Sequence, residues 1–360
     1  MKIFNHQHVM SVPRHIAVGG GATGALLSVL QELSSEAIAR NVVFVCSGEN
    51  TLAYASKLNG LAAEICSSCV TFIYQINGAS SESVQKLEAY CSKLNTSPLL
   101  VGVGGGSCID VVKLVAYRRK LPLFIYPTVL SSDCLASPVS VLEDNGRKIR
   151  THASIPDGIF IDTKITALAP RNLILSGVCD LMSNASALLD IELFHENYKD
   201  IQFAQLISQT SISHVLAHKK ILIDKSKYQK ALAQGLILSG LSMNFAESSV
   251  TASGGEHLVC HALDFLGEGN ATHGEQVYLG MLCCNLIRRH LGYPTISKKI
   301  LNLLESYKIP DKIQNYSITQ DGLMAAIRRA PSLRQERKTV LSCAEDIPDD
   351  KMLEILSPLF

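Results

Sequence analysis

The first 162 residues alternate between short apolar runs and longer segments in which apolar positions recur every three or four residues. This alternation is typical of βα units that build a parallel sheet. Strands are predicted over residues 15–18, 42–46, 70–74, 99–103 and 123–126. Helices are predicted between them over residues 22–33, 51–61, 80–94 and 107–118.

The pattern changes in the second half of the chain. Asn145 and Gly146 separate the apolar stretches 139–142 and 148–152, which predicts a β-hairpin. After Asp162 strand signals nearly stop, and helices of ordinary length are predicted over residues 171–191, 201–223, 228–248, 255–265, 273–291, 296–307 and 319–329. The predicted fold class is therefore α/β. It has an N-terminal Rossmann-like parallel-sheet domain (1–162), an all-α helical domain (163–360) and an active-site cleft between them.

Composition narrows the class of partner. The 360 residues are 47% hydrophobic, which is ample for two cores, and 33 basic against 32 acidic residues give a net charge of +1. Neither nucleic acid nor a membrane surface is favoured by so balanced a charge, and small molecules are the expected partners. The eleven scattered cysteines suit reduced thiols, and no run approaches the ~18 apolar residues of a membrane span. A soluble, cytoplasmic protein is expected.

A run of three glycines is the first candidate for chemistry. Gly104, Gly105 and Gly106 lie where a predicted strand meets a helix, so main-chain N–H groups and the helix N-terminus can approach an anion such as pyrophosphate. Ser107 and Asp110 follow in the same motif. A plain tight turn is the alternative, because the run is not the G-x-G-x-x-G fingerprint. Small polar residues at 46–51 replace the usual ribose-binding acid, which leaves NAD or NADP open.

The segment after the fifth predicted strand carries a second polar group. Thr128, Ser131 and Ser132 can hydrogen-bond phosphate or ribose, and Asp133 can bond a substrate hydroxyl, because ligands of α/β sheets bind at the carboxyl ends of the strands. For each of them a turn residue satisfied by its own neighbours is an equal alternative.

Three histidines and an aspartate form the candidate metal site. His257 and His261 are four residues apart and so share a helix face, and His273 opens the next predicted helix. Asp180 lies in an apolar helical segment, where a carboxylate is costly to bury unless it is paired or bound to metal. Asp180, His257 and His273 would leave a fourth position free, as catalytic zinc requires. A metalloprotease is disfavoured because Leu258 occupies the position of the essential glutamate.

These motifs resemble, in combination, the iron-containing alcohol dehydrogenase superfamily, which includes glycerol dehydrogenases and dehydroquinate synthases. The likeness rests on residues 104–110, 127–141, 176–180 and 253–280, and a weaker one at 334–341 points to the glycerol-1-phosphate dehydrogenase branch. The resemblance implies a dinucleotide domain, a helical domain, a homo-oligomer and a divalent metal held by Asp180, His257 and His273. It also implies that His261 lies beside substrate and nicotinamide, and that Asp133 lies close to the substrate.

Asn184 departs from the family pattern. It stands one helical turn after Asp180, where iron-type members carry a fourth ligand histidine and glycerol-phosphate members tend to carry lysine. The departure disfavours iron and leaves the phosphorylation of the substrate open. Arg147, Lys148 and Arg150 beside the hairpin can bind a phosphate, but a solvated charged turn is the preferred interpretation.

The functional hypothesis is a zinc-dependent NAD(P) oxidoreductase that interconverts a secondary alcohol and a ketone on a small polyol or polyol phosphate. The metal would polarise the reacting oxygen as a Lewis acid. His261 and Asp133 would relay the hydroxyl proton, His261 because imidazole titrates near neutral pH. Two alternatives stay open: a dehydroquinate synthase-like cyclase that uses NAD transiently, and a catalytically inert nucleotide-binding homologue.

Overall fold

The computed structural model describes residues 11–35, 41–66, 68–144, 147–218 and 225–360. Its strands are β1 (His15–Val18), β2 (Asn41–Ser47), β3 (Val70–Ile76), β4 (Leu99–Gly104), β5 (Leu123–Pro127), β6 (Val139–Asp144), β7 (Arg147–His152) and β8 (Gly158–Ile161). Six of them form a parallel sheet in the order β1-β8-β5-β4-β2-β3, and β6 and β7 form a separate antiparallel pair. The predicted parallel sheet is confirmed. The turn predicted at 145–146 lies outside the described residues.

Four helices cover the two faces of the sheet: α1 (Ala22–Ser35), α2 (Gly48–Ile65), α3 (Ser81–Ser92) and α4 (Gly106–Arg119). Side chains of α1 and α2 pack on one face, and those of α3 and α4 pack on the other. Every residue of β4 is buried, which is why this strand is an unbroken apolar run rather than an alternating one. The order β4, glycine turn, α4 places the new helix N-terminus at the carboxyl edge of the sheet.

Strand β8 was not predicted. It pairs in parallel with β1 on one side and with β5 on the other, so it completes the sheet between them. Only four residues long, it follows Asp157 directly and opens with a glycine, which is too short a signal to distinguish a strand from a loop. A Cβ on Gly158 would lie 2.7 Å from ring atoms of Phe124 and Phe160, so the glycine belongs to the packing of the sheet.

The second half of the chain is helical. Its helices are α5 (Thr163–Thr166), α6 (Arg171–Leu193), α7 (Gln202–Ala217), α8 (Lys225–Phe245), α9 (Gly255–Leu266), α10 (His273–Leu291), α11 (Lys298–Ser306), α12 (Gln320–Leu333) and α13 (Asp349–Leu356). All seven predicted helices are present, although part of the segment predicted over 201–223 lies outside the described residues. Helices α5 and α13 were not predicted; each is eight residues or fewer.

The apolar core crosses from the sheet into the helices. One cluster of buried side chains includes Ile109 and Val112 of α4, Val178 and Leu181 of α6, and Leu236 of α8. A second cluster joins α9, α10, α12 and α13. The change from α/β to all-α falls near residue 162 as expected, but the division into two domains at that point stays a prediction.

Helix α6 lies at the centre of the helical half. Its 23 residues are long enough and apolar enough to cross a membrane, yet 78% of its most apolar window is buried inside the protein. It also contains the buried polar residues Asp180, Asn184 and Asp190. We therefore describe α6 as the core helix of a folded protein; a cytoplasmic location stays a prediction.

Candidate active site

Three side chains from three helices converge as the sequence predicts. Asp180 of α6, His257 of α9 and His273, the first residue of α10, bring one ligand atom each to within 4.8 Å of the others. The Oδ1 atom of Asp180 lies 3.3 Å from Nε2 of His257 and 3.5 Å from Nε2 of His273. Ligands about 2.0–2.1 Å from a tetrahedral zinc ion are separated by about 3.3–3.4 Å. This donor set therefore fits a small divalent metal.

Close packing of the three helices makes this convergence possible. A Cβ on Gly274 would collide with the main chain of Ser176, so α10 begins directly against α6. The Gly274 N–H also donates to Ser176 Oγ at 3.1 Å. A Cβ on Gly280 would collide with the main-chain oxygen of Glu256, so α10 also lies tightly against α9. The glycines of α10 thus set the distances between the candidate ligands.

Hydrogen bonds hold each candidate ligand from behind. Asp180 Oδ2 accepts the main-chain N–H of Asp133 at 2.9 Å, which leaves Oδ1 for the histidines. The Nδ1 atom of His257 lies 3.0 Å from Glu256 Oε1, and the Nδ1 atom of His273 lies 3.4 Å from Cys260 Sγ. Both rings therefore direct Nε2 toward Asp180, and an outer partner at Nδ1 is a usual feature of metal-binding histidines.

The electrostatics of the group favour a bound cation. Burial opposes ionisation of Asp180, but hydrogen bonds from His257 and His273 hold its pKa below the ordinary value. Burial also opposes protonation of His257, yet its contacts with Asp180 and Glu256 raise its pKa to about 9. Burial lowers the pKa of His273, and Asp180 offsets this only in part. An ionised carboxylate between two imidazoles attracts positive charge, whether proton or metal.

A cavity of about 340 Å³ lies between the metal candidates and the sheet. The residues predicted from sequence that line it are Gly106, Ser107, Asp110, Ser131, Ser132, Asp133, Asp180, His257, His261 and His273. Gly104, Gly105 and Thr128 lie behind this lining, where the Thr128 N–H donates to Gly104 O at 3.1 Å. The structure thus brings the glycine turn and the metal candidates to one cleft.

The glycine turn has the geometry of an anion-binding helix start. Gly104 ends β4, Gly105 precedes α4 and Gly106 is its first residue, so the first N–H groups of the helix have no intrahelical acceptor. Asp110 lies further along α4 and is buried, with its Oδ1 3.4 Å from Lys113 Nζ. Lys113 Nζ also donates to Cys134 O at 2.9 Å, which ties α4 to the loop after β5.

His261 and Asp133 face the cavity in contrasting states. His261 Nε2 is buried and has no hydrogen-bond partner within the described ranges. Burial, with Arg150 nearby, moves the pKa of His261 well below its ordinary value, so the imidazole is neutral rather than titrating near pH 7. Burial and the neighbouring Asp180 raise the pKa of Asp133, whose Oδ2 accepts a hydrogen bond from Ser239 Oγ at 2.8 Å.

Positive side chains from the segment for which the sequence favoured a solvated charged turn line the same cavity. Arg150 and Lys148 of β7 are joined there by Arg334, which follows α12. Lys148 Nζ lies 2.7 Å from Asp264 Oδ2, whereas Arg150 has no hydrogen-bonding or ionic partner in the part of the chain that is described. The side chain of Arg147 is outside that part. The alternation of side chains along β7 could have indicated this placement from sequence, because Lys148 and Arg150 are two residues apart and therefore share a face.

Comparison with known proteins places the chain in a family. The profile of iron-containing alcohol dehydrogenases matches residues 17–170. A curated relative from Metallosphaera sedula is 30% identical over 346 residues, with 93% of each chain covered. The chain therefore belongs to the iron-containing alcohol dehydrogenase family. The relative from Metallosphaera sedula is a glycerol-1-phosphate dehydrogenase [NAD(P)+], as is one from Thermoplasma volcanium that is 29% identical, with 94% of each chain covered.

Solved structures show the same fold. Glycerol dehydrogenase from Schizosaccharomyces pombe superimposes with a TM-score of 0.73 at 17% identity, covering 97% of this chain and 92% of that one. An iron-containing alcohol dehydrogenase from Thermotoga maritima gives a TM-score of 0.68 at 16% identity, covering 98% and 99%. At these identities the likeness extends to the fold alone.

Proposed function

We propose that this protein is a metal-dependent NAD(P) oxidoreductase that interconverts the secondary hydroxyl of glycerol 1-phosphate and the corresponding ketone. One observation carries the proposal. The three convergent candidate ligands Asp180, His257 and His273 share a single cleft with a glycine turn and with the positive charge of Arg150. The curated relatives that are glycerol-1-phosphate dehydrogenases support the choice of substrate.

The proposed metal is zinc. One carboxylate and two imidazoles are a usual donor set for catalytic zinc. The position one helical turn after Asp180 holds Asn184, whose Nδ2 donates to Ser239 Oγ at 2.9 Å, while its Oδ1 is buried without a hydrogen-bond partner among the described residues. The proposed site has three protein ligands and a fourth position open for substrate.

The two bound groups would supply complementary chemistry: the metal acts as a Lewis acid, and the nicotinamide carries the hydride. The protein's own residues supply orientation. Main-chain N–H groups at Gly106 and Ser107 would bind the pyrophosphate, with Thr128 and Ser131 on the neighbouring loop as further cofactor contacts. The choice between NAD and NADP and the expected homo-oligomer stay predictions.

Asp133 and His261 are the proposed proton-handling groups. His261 lines the cavity and its Nε2 is without a partner among described residues, so this nitrogen is free to contact the substrate hydroxyl and relay its proton. Asp133 lies in the same cleft, and its raised pKa lets it hold a proton at higher pH than an ordinary carboxyl. The hydrogen bond from Ser239 fixes its orientation.

Arg150 is the proposed anchor for the substrate phosphate. Arg150 is partly buried, and this burial, with Arg334 nearby, lowers its pKa to about 10. A phosphate would restore the lost hydrogen bonds, because guanidinium groups bind phosphate in a bidentate manner. Lys148 and Arg334 add positive charge to the same wall of the cavity.

The test follows reduced-nicotinamide absorbance with dihydroxyacetone phosphate and with dihydroxyacetone. Wild-type protein should strongly prefer the phosphorylated ketone and lose turnover on chelation. Arg150→Ala should raise KM for the phosphorylated ketone by roughly 10- to 100-fold, the value of one charge-assisted hydrogen bond. The unphosphorylated ketone should react as it does with wild type, and Arg118→Ala, on the exposed end of α4, is the control.

Other outcomes point elsewhere. If Arg150→Ala changed KM equally for both ketones, Arg150 would not be the anchor for the substrate phosphate. Release of phosphate from a sugar phosphate with no net change in NADH would identify a cyclase. Turnover that survives complete removal of metal would overturn the mechanism.

A further inference from the structure

We propose that Glu256 is a positioning residue whose buried carboxylate orients His257 and raises the affinity of the three-ligand site for a divalent cation. The inference rests on the metal site of the proposed function and assigns a role to a residue that contacts neither the predicted metal nor the substrate. Glu256 has no exposed surface, so a catalytic role in contact with substrate is excluded.

The Glu256 carboxylate is held by two donors. Its Oε1 atom accepts the main-chain N–H of Gly254 at 2.6 Å and the Nδ1–H of His257 at 3.0 Å. The bond to Nδ1 leaves Nε2 of His257 without a proton when a metal is bound, and aims that nitrogen at Asp180. Glu256 therefore selects the tautomer that a metal ligand needs.

A rigid frame fixes the carboxylate in turn. Asp190 Oδ2 accepts the N–H of Gly255 at 2.8 Å, and Asp190 Oδ1 lies 2.5 Å from a guanidinium nitrogen of Arg288. A Cβ on Gly254 would lie 2.6 Å from Asp190 Oδ2 and 3.0 Å from Glu256 Oε2, so only glycine fits between the two carboxylates. The start of α9 is thus anchored before any metal binds.

Charge gives the carboxylate a second effect. Glu256 Oε2 has no hydrogen-bond partner in the described chain, and His257 is the only side chain there within ion-pair distance. Arg288 and Arg337 are near enough to act on it electrostatically but form no such pair. The buried carboxylate therefore depends on His257 as its ion-pair partner. Together with Asp180 it supplies two negative charges around His257, which match a divalent cation.

The other histidine shows that this arrangement is particular to His257. His273 has the thiol of Cys260 at its Nδ1 atom, and its side chain is 33% exposed, against 7% for His257. A neutral thiol neither holds the ring as firmly nor adds negative charge. We therefore assign to His257 the more tightly held position of the two.

The experiment compares Glu256→Gln with wild type by competition for Zn²⁺ and Co²⁺ against a chromophoric chelator, and by the visible spectrum of the Co²⁺-loaded protein. Glutamine keeps an oxygen for Gly254 and His257 but removes the charge. The dissociation constant should rise by roughly 10- to 100-fold, the usual cost of losing an outer-shell partner, and the Co²⁺ bands should shift. Affinity for the nicotinamide nucleotide should not change.

Glu275→Gln is the matched control. Glu275 is also a glutamate close in sequence to a predicted ligand, two residues after His273, but its Oε2 accepts from Thr272 N–H at 2.8 Å in the capping box of α10. Glutamine preserves such a box, so metal affinity should stay within about twofold of wild type. Glu256→Asp, which keeps the charge on a shorter side chain, should fall between wild type and Glu256→Gln.

Thermal unfolding of the metal-free proteins separates positioning from folding. A loss of affinity that only parallels a loss of metal-free stability, across Glu256→Gln and Glu256→Asp, would make the role structural and overturn the inference. Unchanged affinity in a folded Glu256→Gln would also overturn it. Wild-type protein that binds neither ion would instead defeat the proposed function, so the two failures are distinguishable.

Discussion

The two walls of the cleft are built on different principles. On the sheet wall, Gly106, Ser107 and Ser131 present main-chain groups and small hydroxyls with no formal charge. On the helical wall, Asp180 and His257 present buried ionisable side chains, each held by a partner behind it. The sheet wall depends on the lack of bulky side chains, and the helical wall depends on side-chain atoms in defined positions.

The difference follows from what each wall is proposed to hold. A pyrophosphate is satisfied by many N–H groups, so closeness of approach matters more than any one side chain. A metal requires a fixed number of donors at fixed distances, and buried charges must compensate one another. Removal of a side chain should therefore be severe on the helical wall, whereas addition of one should matter on the sheet wall.

Asp180→Ala tests the helical wall where we expect the largest effect. Asp180 contacts both histidines and receives the Asp133 N–H, so its loss removes a proposed ligand and leaves three partners unsatisfied. We expect loss of stoichiometric metal and a fall in kcat/KM at least on the order of 10³-fold, as when a key charge-stabilising group is removed. Metal analysis and initial rates measure both, and chelated wild type should match the variant. Retention of full metal by Asp180→Ala would contradict the assignment.

His261 lies on the helical wall but is not one of the proposed metal ligands, and His261→Ala removes its side chain. Metal content should stay at the wild-type level, whereas kcat should fall by roughly 10²- to 10⁴-fold, the range for loss of a general acid–base group. His257→Ala, one helical turn earlier, should lose metal and activity together. Equal metal loss in the two variants would refute the division of roles between these histidines.

The sequence predicted the two walls unequally, for physical reasons. The glycine turn and the strands around it were found because local patterns determine them, and β4 with α4 was predicted to within one residue at each end. Asp180 was found because an acidic residue in an apolar helix is anomalous. Strand β8 was missed because four residues carry too little periodicity.

The role of Arg150 was not preferred from sequence, and that of Glu256 was missed, for a different reason. The charge of Arg150 suggested solvent, and only the placement of β7 against the cleft shows that it lines the cavity. Glu256 was not singled out from sequence, since its contact with His257 depends on the side-chain conformation of adjacent residues rather than on spacing. Contacts of this kind arise from tertiary packing, which one sequence does not encode in a readable pattern.

Gly106→Ala tests the sheet wall, where we expect the smallest effect. A Cβ at Gly106 would lie 3.6 Å from Cys134 Sγ and 3.9 Å from Ser132 Oγ, so the folded protein accommodates it, yet it would project beside the cavity. We expect the KM for the nicotinamide nucleotide to rise about tenfold, equivalent to about 1.4 kcal/mol, with metal content unchanged. Gly60→Ala, where a Cβ meets nothing within 4 Å, is the matched control and should leave KM unaltered. If Gly106→Ala lowered metal content while nucleotide binding stayed at the wild-type level, the proposed separation of the two walls would be wrong.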